Sequence, residues 1–101
     1  MKINEIEHLQ KKIELTAELF YKQKNQEGYQ SLVEVIDGLL AITSELKEIE
    51  ENEQIIMLRD KLTEILKDIT DAMLQKDTIL IADMIKYEIM EVLEHVADLE
   101  Q

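Results

Sequence analysis

Cysteine and proline are absent from this 101-residue chain, and glycine occurs only at Gly28 and Gly38. Without cysteine there is no disulfide framework, no thiol nucleophile and no thiolate metal site. A chain so poor in turn formers, in which Leu, Ile, Glu and Lys dominate, suits an all-helical protein. Positive charge is scarce too. Eleven Lys and Arg stand against 23 Asp and Glu, for a formal net charge of −12. A phosphate backbone or an anionic membrane would repel such a surface, which argues against nucleic acid and membrane and leaves proteins with basic surfaces as partners. Long apolar runs are also missing. MKINEIEHLQ has no apolar stretch of signal-peptide length, and no segment approaches the roughly 20 apolar residues that span a bilayer. The expectation is one helical domain over residues 1–101, cytoplasmic and without a cofactor.

What is present is helical periodicity. A first segment runs from about Asn4 to Asn25, with Asn4 and Glu7 spaced as a capping box. Ile6, Leu9, Ile13, Ala17 and Phe20 recur at three- and four-residue spacing, which is one face of a helix. The polar run KQKNQEG then supplies a turn, and Gly28 suits its left-handed cap position. A second segment covers Tyr29 to Glu50. Its core stripe is Leu32, Val35, Ile36, Leu39, Thr43 and Leu46, widened by Val33, Leu40 and Ile42. Gly38 inside it costs about 1 kcal/mol relative to alanine, which is either tolerated or offset by close approach of a neighbouring helix. The acidic run ELKEIEENE reads as a solvated helix end and connector.

The third segment, Glu53 to Gln75, has Ile55, Leu58, Leu62, Ile65, Leu66, Ile69, Ala72 and Met73 on one third of its circumference. The fourth starts with Asp77 as N-cap and runs to about Leu99. Ile81, Ala82, Ile85, Ile89, Val92, Leu93 and Val96 form its core stripe. A second stripe, Leu80, Met84 and Tyr87 at i, i+4 and i+7, lies on the other side and turns acidic further on at Glu91, Glu94 and Asp98. The stretch KDTILIADMIKYE is thus apolar all the way round for two turns and needs cover on two sides. Four helices with short connections predict an antiparallel up-down four-helix bundle. A three-helix core with a loosely attached first helix is the alternative.

Chemistry is hard to find in these residues. There is no GxSxG, P-loop, GxGxxG or HExxH pattern, and most carboxylates fall on solvent faces, so no enzyme is expected. A di-metal bundle site would want Glu-x-x-His on two helices. Glu5 and His8 have that spacing, but His95 follows Glu91 by four residues, and both histidines read as partly exposed. Met57, Met73, Met84 and Met90 suit gaps in the core better than a docking groove. Tyr87 is one turn from Asp83 and could anchor an interface with its apolar body and polar tip.

The residues Ala72, Lys76, Asp77, Leu80, Ala82, Asp83, Tyr87 and Glu88, in the pattern KDxxLxADxxxYE after an alanine, make the chain resemble a family of small uncharacterised helical proteins from spore-forming, often motile Gram-positive bacteria. VEVIDGLLAI around Asp37 and Gly38 is similar to that family's second helix. Family members carry a proline and an aromatic near the end of the last helix, where this chain has Glu91 and His95. The resemblance implies an all-helical fold and a link to flagellar genes, and brings no activity with it.

The resulting expectation is a non-enzymatic interaction or structural bundle. It self-associates as a homodimer, or meets another protein with a basic or apolar helix, through Leu80, Met84, Tyr87 and Asp83. One alternative is a binder of a partner helix similar to flagellar export chaperones. Another is a metal- or small-ligand-binding bundle built around Glu5, His8 and inward carboxylates of the fourth helix.

Overall fold

The computed structural model of the protein describes residues 3–49 and 52–99. Glu50, where the sequence places the end of the second helix, and Glu51 in the connector lie outside the described residues, as does the start of MKINEIEHLQ. Among the described residues all regular structure is helical. Helix α1 is Ile3–Tyr21, α2 is Asn25–Glu48 and α3 is Glu53–Leu74. The fourth helix, α4, is continuous but not uniform. It runs as an α-helix over Thr78–Asp83, widens into a π-helical segment over Met84–Ile89, and returns to α-helix over Met90–Asp98.

Two of the connections are built alike. After α1, the Lys24 N–H bonds the Leu19 carbonyl at 2.8 Å and the Gln23 N–H bonds the Phe20 carbonyl at 2.9 Å. After α3, Asp77 reaches back to Ala72 at 3.0 Å and Lys76 to Met73 at 3.1 Å. This is the paired bonding of a Schellman motif, which uses one left-handed residue to satisfy the last helical carbonyls. Here that residue is Gln23 (φ 60°) or Lys76 (φ 57°), and neither is a glycine. Asp77 then accepts from the Leu80 N–H at 3.1 Å as the N-cap of α4, as its position predicts. Asn52 does the same for α3, accepting from the Ile55 N–H at 2.9 Å.

Gly28 therefore does not hold the left-handed position expected of it. It lies in the first turn of α2, buried, where a Cβ would stand 2.8 Å from two carbons of the Phe20 ring. Gly38 does mark a close approach, since its Cβ would meet Leu9 Cδ1 at 2.9 Å. These contacts, with the Thr16–Ser31 hydroxyl pair and the Lys12–Glu34 ion pair between them, run down α1 as they run up α2. The two helices are antiparallel. Thr16 also donates to the Lys12 carbonyl at 2.8 Å, so its proton is used there and Ser31 donates to Thr16. Tyr29 closes the end of the pair, edge-on to Phe20 with ring centroids 5.2 Å apart.

Helix α1 packs on α2 and along all three parts of α4, and α3 packs on α2 and α4. That cyclic order is the one an up-down bundle gives. Every predicted core residue of α1 and α4 is buried, including Ile6, Phe20, Ile81 and Val96. The first helix is thus a full member of the core, and the three-helix alternative is set aside. Because the structure starts α1 at Ile3, Asn4 sits inside the helix and is not its cap. Val33 and Leu40 do not widen the α2 stripe; both face solvent, because α2 meets only α1 and α3 extensively.

The glycine and turn assignments predict opposite stability effects. Gly28→Ala should lower unfolding free energy by about 1–3 kcal/mol, because the buried Phe20 ring has no room to yield. Gln23→Gly and Lys76→Gly should each raise it by about 0.5–1 kcal/mol by relieving a left-handed side-chain residue. Urea midpoints at unchanged m-value check both signs.

Candidate functional site

An ideal α-helix would line up Leu80, Met84 and Tyr87 on one stripe of α4. The π segment breaks that line. Its i→i+5 bonding uses more residues per turn, so side chains after Asp83 fall behind their α-helical positions. Met84, still one α-helical turn from Leu80 and on the same side, is 5% exposed, whereas Leu80 (42%) and Tyr87 (61%) remain at the surface, and the displacement falls on Tyr87. The two exposed residues also part company, because α4 lies between α3 and α1.

Leu80 faces the α3 side. With Met84 and Ala72 it forms the apolar floor of a depression whose rim carries Asp68, Asp71 and Glu88. Leu74 and Ile79, both exposed, flank the turn at the same end. The expected apolar contact residues are therefore found in an acidic frame. Sequence periodicity does not advertise Asp68 and Asp71, which read there as ordinary solvent-face charges of α3. They are one turn apart, and that spacing is the signal that puts both on the wall facing α4.

Tyr87 and Asp83 belong to the α1 side. The Tyr21 hydroxyl donates to Asp83 Oδ1, tying the end of α1 to the start of the π segment. Lys86 Nζ lies 5.5 Å from the centroids of both the Tyr21 and Tyr87 rings, a cation held between two aromatic faces. Asp83 thus has its tyrosine, but it is Tyr21 of α1 rather than the neighbouring Tyr87. Glu18, one turn from Lys22 and ion-paired with it, has its carboxyl held below the usual range by that contact.

The Glu5 and His8 pair lies elsewhere, on a groove between α1 and α2 of about 310 Å³ that also borders Lys12, Glu34 and Glu45. Among the described residues no group of three or more His, Asp or Glu side chains is placed to hold a metal ion. Lys12 instead ion-pairs with Glu34 across this groove.

Burial of Tyr21, and after it the hydrogen bond to Asp83, push the phenol from 10.0 up to about 12. The folded protein therefore keeps a proton that the unfolded chain releases above pH 10. Stability from this contact is complete below pH 10 and is lost as pH climbs toward 12. In an ultraviolet titration, one of the three tyrosines should ionise late. Asp83→Ala should bring that late step part of the way back, and an unchanged titration would separate the shift from the Asp83 contact.

No curated protein and no solved structure matches the chain. A family model described as a domain of unknown function (DUF8042) matches residues 3–98, nearly the whole of the helical bundle, and the chain belongs to that family.

Proposed function

We propose that this bundle is a non-enzymatic interaction module that meets another protein through the outer face of α4, on its α3 side. The observation that carries this reading is the depression between α3 and α4, where the exposed Leu80 lies with Met84 and Ala72 among Asp68, Asp71 and Glu88, close in sequence to the exposed Leu74 and Ile79. Large side chains cost solvation free energy at a surface, and clustered ones mark contact sites more often than scattered ones do. A helix-in-groove contact would bury them and suits a surface formed by two neighbouring helices. This is the mode the export-chaperone comparison implies, and a flagellar setting remains part of the proposal through the KDxxLxADxxxYE resemblance alone. The proposed location is the cytoplasm. Among the described residues no helix is long and apolar enough to cross a membrane.

Self-association is the second reading, and Tyr87 supports it, as a large exposed ring whose body could pack against a second copy. The net charge of −12 works against it, because two copies would bring like charges together.

Light scattering and urea unfolding of the wild type and Leu80→Glu test both readings. The expected result is a monomer in each case, with stability unchanged to within about 0.5 kcal/mol, as for a surface site. A wild-type dimer, dispersed by a Tyr87→Glu variant run beside them, would replace the first reading with the second. A loss of more than about 2 kcal/mol in Leu80→Glu would assign Leu80 to the monomer's own core and end the first reading.

A further inference from the structure

The groove beside Leu80 does not end there. Glu88, on its rim, also borders a second depression, which continues along α3 and α4 past Lys61 and Glu91. Met57, Leu58 and His95 in turn join that depression to a third, which reaches Glu53 and Gln54. The three depressions follow one another along the α3–α4 seam, the first two meeting at Glu88 and the last two sharing Met57, Leu58 and His95. From Gln54 to Gln75 it extends roughly 30 Å at 1.5 Å per residue, room for a helix of five to six turns.

Floor and rim differ in chemistry. Met57, 70% exposed, and Leu80 stand as apolar anchor points near opposite ends, with Met84 and Val92 between them. The rim is acidic on both walls. Asp68 and Asp71 come from α3, Glu88 and Glu91 from α4, and Lys61 is the one lysine among the lining residues. An apolar ligand with no charge would strip water from these carboxylates and return nothing.

The geometry points to the occupant: the α3–α4 trough docks a basic amphipathic helix of another protein. Its apolar stripe, at i, i+3, i+4 and i+7, lies along the floor from Met57 to Leu80, and lysines or arginines on its flanks meet the acidic walls. A second copy of this chain does not fit that description, since its helices would set carboxylate against carboxylate. The inference rests on the proposed role as a protein-binding module and names the class of partner.

The test uses the full chain and three fluorescein-labelled 18-residue helical peptides. All share one leucine stripe, and their remaining positions carry lysine, glutamine or glutamate. Anisotropy titrations should show the lysine peptide binding at least tenfold tighter than the glutamine peptide, and weakening as salt rises. Asp71→Lys with Glu88→Lys should cost at least tenfold and move the preference toward the glutamate peptide. Asp37→Lys with Glu48→Lys, an equal charge change on exposed α2 positions, should alter affinity less than twofold. Equal losses in the two double variants would reduce the binding to general attraction and overturn the trough. Equal binding of the lysine and glutamine peptides, abolished by Leu80→Glu, would overturn the basic partner while the interaction module stands. Absence of binding by every peptide would overturn the docked helix altogether.

Discussion

The outer surface of α4 depends on one wide turn. Between Met84 and Ile89 the helix spends extra residues on its circuit, and that displacement decides which side chains the core receives. Met84, at the start of that turn, is buried on the side of α3 with Ala72, while Ile81 and Ile85 fill the core. The same displacement turns Tyr87, which follows it, toward α1, and leaves Leu80, which precedes it, on the α3 side. Without it the three side chains would make a single apolar ridge; with it α4 carries two separate faces of different character.

Those faces are chemically unlike. On the α1 side, polar and aromatic groups satisfy one another: Tyr21 donates to Asp83, and Lys86 sits between two rings. On the α3 side, carboxylates border apolar carbon and outnumber Lys61, the one lysine along the seam, so most of the complementing positive charge has to come from outside it. Contacts of the first kind hold the monomer together. A surface of the second kind gains free energy only by being covered. Function is therefore sought on the α3 side, although tyrosines are the more familiar anchors of interfaces.

Much of the fold was legible because it follows simple periodicity. Ile6 to Phe20, Ile55 to Ala72 and Ile81 to Val96 recur at helical spacing, and all but the half-buried Leu66 are buried. Asp77 announces the start of α4 because a carboxylate before an apolar run has one obvious use. The turns were less legible. Glycine is the usual sign of a left-handed residue, and here Gln23 and Lys76 take that conformation while Gly28 serves to admit a phenyl ring. The candidate site was half legible for a related reason. Leu80 could be named from its apolar neighbourhood, but the parting of Tyr87 from Leu80 and Met84 depends on a π turn that no residue type signals. The acidic walls require knowing which two helices adjoin, which periodicity within a single helix does not contain. The hydroxyl pair of Thr16 and Ser31 is hidden likewise, since each residue alone resembles an ordinary surface position.

The Schellman turn at Lys76 has a mechanical consequence. Helices α3 and α4 are joined to each other at that end alone, by residues 75–77, where backbone hydrogen bonds and the Asp77 cap leave no slack. Any separation of the two helices must therefore be angular, small beside Leu80 and growing toward Met57 and His95.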